Sequence, residues 1–495
     1  MRKVIEKQLK MGQVPIENIE IDMSCRDEIP QLLLGLQTIY SNKQKRDEVF
    51  TILEKMIPDD VNPENGRLGM ELWKILVLGT LRLNCSWDYD KLHDIANNHQ
   101  TVRQFLGHSH FEINQKYALQ TLKDNIGLFT PEILEEIDQV VINTGHDLFY
   151  EDNDIQLNGR CDSFVVETDV HYPTDINLLL DAIRKIVFLI GPLFEDLGIT
   201  EWRQYRHIFK KIKKQYNFVR KLRYSKAKDK ERREKRELLI ITAHRQYVDL
   251  VESYVERAKE SIAILNGMGI CSVATIMLIE HYIMHAERQI NQIRRRVLDD
   301  EKIPHSEKVF SIFEEHTEWI SKGKAGVPQE LGLGVCILED QYGFILHHHV
   351  MEHQKDVDIA VLMVTEAKRK FSGLFGCSFD KGFYSPGKRE ELRTILDQVV
   401  LPKKGRLSQK DKQIEYGEEF IESRRKHSAV ESAINALENH ALDRCPDKGI
   451  DGFKRYVGLA VLARNIQILG SKVRQKALER LKRRKRSGSA YRLAA

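Results

Sequence analysis

Gly376-Cys377-Ser378-Phe379-Asp380-Lys381-Gly382-Phe383-Tyr384 is the stretch on which the reading of this chain turns. Leu374 to Phe379 is a short, nearly continuous apolar run between Gly373 and Gly382, the pattern of a strand covered on both faces. It ends on a carboxylate, and the chain turns at once. Such a carboxylate contributes little to packing but is well placed to hold a cation in a cleft beside the sheet edge. Gly382 is expected to permit the tight exit that Asp380 needs.

On either side of this stretch the pattern is mixed. Downstream, Lys388 to Asp397 predicts a helix, Gln398 to Leu401 a short strand, and Ile421 to Asn439 a helix with Val430, Ile434 and Leu437 as its buried stripe. Upstream, Asp356 to Phe371 predicts a helix. Before it come strands at Val335 to Leu338 and Phe344 to Met351, joined by a hairpin turn at Asp340-Gln341-Tyr342-Gly343. Earlier still, Gly159 to Tyr172 is rich in strand formers and closed by Pro173, after which Thr174-Asp175 caps a helix carrying Leu178, Leu179, Ala182, Ile183 and Val187. This order predicts a mixed α/β domain interrupted by one large, charged helical insertion.

Residues 30 to 150 have helical periodicity. Leu68, Leu72, Ile75 and Leu76 fall at helical steps, Tyr89 to Gly107 continues the pattern, and Thr130-Pro131-Glu132 places an N-cap before a proline at the first helical position. The expected organisation is a helical N-terminal domain (1–150), a first part of the α/β domain (151–185), an insertion (186–325), a second part (326–470) and a basic tail (471–495). A chain of 495 residues is too long for one ordinary core.

Charged residues make up 30% of the chain, yet the net charge is only +4, so affinity for a polyanion must come from local clusters. The seven cysteines show no CxxC pair and no zinc spacing, which favours a reduced, cytoplasmic setting. No segment approaches eighteen uninterrupted apolar residues, so no membrane span is expected.

Three acids stand out by context. Asp162 lies among residues that favour burial, where an ionised carboxylate costs several kcal/mol unless a cation or hydrogen bonds compensate it. Asp380 ends the strand quoted above. Glu431 lies on a polar stripe beside the apolar face of its helix. Three hard oxygen donors suit Mg²⁺ or Mn²⁺, and two such ions can activate water and stabilise the leaving oxygen in displacement at phosphorus. Each acid also has an ordinary explanation: Asp162 as a hydrogen-bonded strand residue, Asp380 as a helix cap, Glu431 as the partner of Arg424 or His427.

Asp380-Lys381-Gly382-Phe383 resembles the Asp-x-Gly-(Phe/Tyr) signature around the second aspartate of the DDE transposases of bacterial insertion sequences. Asp162 to Asp175 resembles their first-aspartate block, and His427 to Glu438 their glutamate helix. The likeness is greatest to the ISNCY group and extends to Leu68–Gly107, Phe453–Gly458 and Ala463-Arg464-Asn465. It implies an RNase H-like catalytic domain, Asp162, Asp380 and Glu431 as metal ligands, Mg²⁺ (or Mn²⁺) as cofactor, and DNA strand transfer at terminal inverted repeats. It further implies an end-binding N-terminal domain, double-stranded DNA as partner, a dimer or higher assembly when two ends are paired, and a nucleoid-associated cytoplasmic location. Many relatives carry Tyr-x2-Arg-x3-Glu-x6-Lys around the glutamate, whereas Arg424, His427, Glu431 and Glu438 occupy those places here. Asp169 and Asp175 compete with Asp162, and Glu438 with Glu431. The alternative functions are an inactive domesticated DNA-binding protein and a metal-dependent structure-selective nuclease.

Two basic segments are candidate phosphate-contacting surfaces. Trp202 to Arg236 holds sixteen Lys/Arg against three acids, and Ser471 to Ala495 ten against one. The aromatics Trp202, Tyr205, Phe209 and Tyr216 fall at helical spacing and are expected in a core. His347, His348 and His349 lack a third ligand at zinc spacing and are expected to be structural or to face DNA.

Overall fold

The computed structural model describes residues 2–6, 8–57, 69–149, 156–224, 229–269, 272–321 and 329–493. Leu68, Cys271 and the expected boundaries at 150/151 and 325/326 lie outside the described residues. The fold is mixed α/β. Its strands are β1 (Leu157–Thr168), β2 (Glu318–Ser321), β3 (Gln329–Glu339), β4 (Ile345–Met351), β5 (Leu374–Phe379), β6 (Gln398–Val400) and β7 (Arg444–Cys445).

They form one sheet in which β1 is central. On one side β1 pairs antiparallel with β3, which forms a hairpin with β4; on the other it pairs parallel with β5, and β5 parallel with β6. The short β7 joins the far end of β1 at Glu167 and Thr168. The parallel strands are reached through helices Asp356–Lys370 and Pro386–Ile395, as a parallel connection requires. Ser385 caps the latter with proline at its first position.

Two compact units divide the chain: residues 1–169 with 320–495, and residues 170–319. The first differs from the expected organisation, because the first 150 residues share one hydrophobic core with the sheet. That core runs from Val4 through Leu76, Val166 and Phe379 to Leu469. Its ends are tied by the helices Glu28–Ser41 and Gly449–Leu493, which cross at two glycines. A Cβ at Gly35 would lie 2.2 Å from the Ile466 carbonyl oxygen, and one at Gly470 1.8 Å from that of Gln31. Only residues lacking a side chain allow backbones so close.

Buried polar groups in this unit hold elements together. Asn465, fully buried, accepts a hydrogen bond from the Ile345 amide and donates to the Ile345 carbonyl and to Asp138 on the helix Pro131–Phe149. Burial pushes the Asp138 carboxyl up to about 7 despite that bond. Asp340 closes the predicted hairpin by accepting from the amides of Tyr342 and Phe344, while its other oxygen meets His146 at 2.8 Å. His347 is also structural: it is buried beside Lys370 and Glu135, which pair with each other.

The second unit is helical and has its own core, built from the helices Asp175–Asp196, Tyr205–Tyr224, Lys230–Met268 and Val273–Ile293. It begins sixteen residues before the expected insertion boundary of 186. The helix Asp175–Asp196 was expected to serve the α/β domain, yet Leu178, Leu179, Ala182, Ile183 and Val187 all enter the helical core. Thr174 alone provides the side-chain cap, and Asp175 pairs with Arg296. Trp202, Tyr205 and Tyr216 are buried and Phe209 packs against them, as the spacing predicts. Among the described residues, no helix is long and apolar enough to cross a membrane.

Candidate active site

Asp162 and Asp380 meet because of strand register. Cys161 of β1 stands opposite Phe379 of β5, and each acid follows one residue later on its own strand. Phe379 and Cys161 are buried, which anchors both strands immediately before the acids. Asp380 occupies the cap position of a single 3₁₀ turn, Lys381–Phe383, but its side chain accepts no capping bond. The simple cap explanation therefore fails for its carboxylate.

Gly382 has a different role from the one expected. It does not adopt positive φ, so the exit after Asp380 does not demand glycine. What it provides is space. A Cβ there would lie 3.0 Å from Oδ2 of Asp356 and 3.9 Å from Oδ2 of Asp380.

Asp356 is the acid that sequence reasoning missed. It is the first residue of the helix Asp356–Lys370, and its Oδ1 accepts a 2.6 Å hydrogen bond from the Ser163 hydroxyl of β1. The signal in the sequence was faint, since an acid in a first helical turn is commonplace.

Glu431 arrives from a third direction. The single helix expected from Ile421 to Asn439 is broken into Glu418–His427 and Ala429–Leu437, followed by a π turn at Glu438–Leu442 in which Ala441 takes φ 79°. The second piece packs on β1 through Val430, Ala433 and Leu437. Glu431 is exposed in its first turn and, among the described residues, forms no ion pair with Arg424 or His427. His427 ends the first piece, with Nδ1 3.0 Å from the Ser378 hydroxyl of β5.

These groups act on one another electrostatically. The Asp162 carboxyl is pushed up to about 6, first by burial and then by the negative charges of Asp380, Asp356 and Glu431; the Ser163 amide, 2.8 Å from Oδ1, opposes this. Burial holds the His427 imidazole below its ordinary range, although Asp380 and Glu431 pull it the other way. Asp380, Asp356 and Glu431 thus all act on Asp162 through charge, but among the described residues no three of these carboxylates bring their oxygens within 4.8 Å of one another.

Asp169 is not part of this group. It lies just beyond β1, roughly 23 Å along the strand from Asp162 at about 3.3 Å per residue, with Arg444 3.9 Å away. Asp175 is in the second unit, on Arg296. Glu438 falls in the π turn. Arg160, on the same strand face as Asp162, is paired with Glu339 at 3.2 Å and also influences His427. Comparisons with protein families, curated proteins and solved structures find no match to the chain.

Proposed function

We propose that this chain is a DDE transposase that cleaves DNA at the terminal inverted repeats of an insertion sequence and transfers the freed ends to target DNA. The observation that carries the reading is that Asp380, from the neighbouring strand, and Glu431, from a separate helix, both act by charge on Asp162. An antiparallel hairpin followed by two parallel strands around a long central strand supports an RNase H-like catalytic domain.

Asp162, Asp380 and Glu431 would hold Mg²⁺ or Mn²⁺, which when bound supplies charge neutralisation and an activated water or 3′-hydroxyl. The chemistry of the donors suits such an ion, since all are carboxylates and Asp162 carries an unfavourable charge that a cation would relieve, but their oxygens are not all drawn together within 4.8 Å and would have to close around it. Asp356 adds negative charge while its bond to Ser163 ties its helix to β1. His427, kept neutral, can exchange hydrogen bonds with a phosphate oxygen but brings no positive charge where relatives carry arginine. The grip on phosphate then falls to Arg424 and Arg425, both exposed just upstream. Phosphoryl transfer needs positioning and charge compensation, with no covalent protein intermediate.

The test is a strand-transfer assay with Mg²⁺ on a labelled terminal-repeat duplex. Asp162→Ala, Asp380→Ala and Glu431→Ala should each reduce cleavage by about a thousandfold or more, roughly 4 kcal/mol of barrier, while end binding persists. Hydrolysis without joined product would instead identify a nuclease. End binding without cleavage by the wild type would identify an inactive DNA-binding protein.

A further inference from the structure

We propose that the helical unit carries a transition-metal site, suited to Zn²⁺, formed by His281, His285 and Glu315. Among the described residues, this is the group of three possible ligands whose donor atoms all lie within 4.8 Å of one another. It is separate from the carboxylates around Asp162 and does not depend on the function proposed for them.

His281 and His285 are one turn apart on the helix Val273–Ile293, so their rings share a face. The ring centroids are 4.7 Å apart. Both Nε2 atoms approach the same Glu315 oxygen, at 2.8 Å from His281 and 2.9 Å from His285. Around a tetrahedral zinc with bonds of about 2.0–2.2 Å, neighbouring donors stand about 3.4 Å apart, so the Glu315 oxygen need withdraw from each ring nitrogen by only about half an ångström, and the two nitrogens already lie within 4.8 Å of each other.

The supports are fixed. His285 is buried, and Ile279, Tyr282, Ile283 and Ala286 root the helix in the core on either side of it. Glu315 sits on a turn held by Ser311, whose hydroxyl accepts from the amides of Phe313 and Glu314, and Ile312 buries its side chain beneath. Glu315 and His281 are partly open to solvent, with side-chain exposures of 51% and 37%, which leaves access for the ion and a position for water.

Two neutral imidazoles and one carboxylate are a donor set that zinc takes readily and that Mg²⁺, which prefers all-oxygen shells, does not. The ion would clip the turn at Glu315 to the helix thirty residues earlier. A ligand that binds only the folded unit raises its melting temperature.

The experiment uses the full chain, stripped with chelator and kept in excess Mg²⁺ to occupy the carboxylates. Co²⁺ is titrated as the visible-absorbing probe, and Zn²⁺ by competition with a chromophoric chelator. One equivalent should bind, with Co²⁺ d–d bands of four- or five-coordinate geometry, and saturating Zn²⁺ should raise the melting temperature of the helical unit by about 5–10 °C. His281→Ala, at a partly exposed position that keeps the buried ring of His285, should lose the equivalent and the shift. Glu315→Gln should weaken binding about tenfold or more, while His207→Ala, an exposed control in the same unit, should behave as wild type. No equivalent bound by the wild type, or a full equivalent with unchanged bands in His281→Ala, overturns the proposal.

Discussion

A carboxylate that is half-buried and feels other negative charges is a local destabilisation, and Asp162 makes it measurable. Its folded-state value of about 6 lies above the ordinary aspartate value, so the protonated form is favoured by folding. The associated stability is fully present below pH about 4 and lost as pH rises through 6, at most about 3 kcal/mol in the metal-free chain. Asp162→Asn keeps the oxygen that Ser163 bonds and removes the charge. It should therefore raise the melting temperature by several degrees at pH 7.5 without divalent ions, and by nothing at pH 4, in calorimetry at both pH values. A lower melting temperature at pH 7.5 would refute this account. Asp356→Asn should lower the Asp162 titration midpoint, as followed by carboxyl NMR. That Asp162 would be half-buried was legible in the sequence, because its neighbours on β1 favour burial; that Asp380 and Glu431 would act on it by charge was not, because strand register and a separate helix bring them there. Asp356 was not, because only the folded chain places a routine first-turn acid against the Ser163 hydroxyl.

At the scale of elements, local pattern predicted most strands and helices but not where tertiary packing overrides them. The residues from Ile421 to Asn439 contain no Gly or Pro, and their periodicity supports one helix. The break at Ser428 lets Phe420 bury in one piece while Val430 and Leu437 pack in the next, a requirement of the sheet beneath rather than of local propensity. The helix Asp175–Asp196 presents the same lesson: its apolar stripe was readable, but the stripe does not say which core it will enter. The glycine crossing yields a direct prediction. Gly470→Ala would place a methyl against the Gln31 carbonyl and should destabilise the sheet-containing unit by about 1–3 kcal/mol or more, read as a lower urea midpoint. An alanine variant as stable as wild type would show that the two helices can separate without cost.

For the molecule as a whole, two hydrophobic cores without shared members predict two unfolding events. Gly470→Ala should move one calorimetric transition and leave the other in place; a single transition that shifts as a whole would contradict this. The two cores also differ in how they are assembled in time. Every member of the helical core lies between Ile176 and Ile312, so that unit is complete once this stretch has been synthesised. The core around the sheet needs residues from Val4 to Leu469, and β1 waits for β3, β5 and the crossing helix. On the ribosome the inserted unit therefore folds first, inside a host that is still open. Asp162 comes under the charge of Asp380 and Glu431 only near the end of synthesis, so a nascent chain is spared that repulsion while it is still being made.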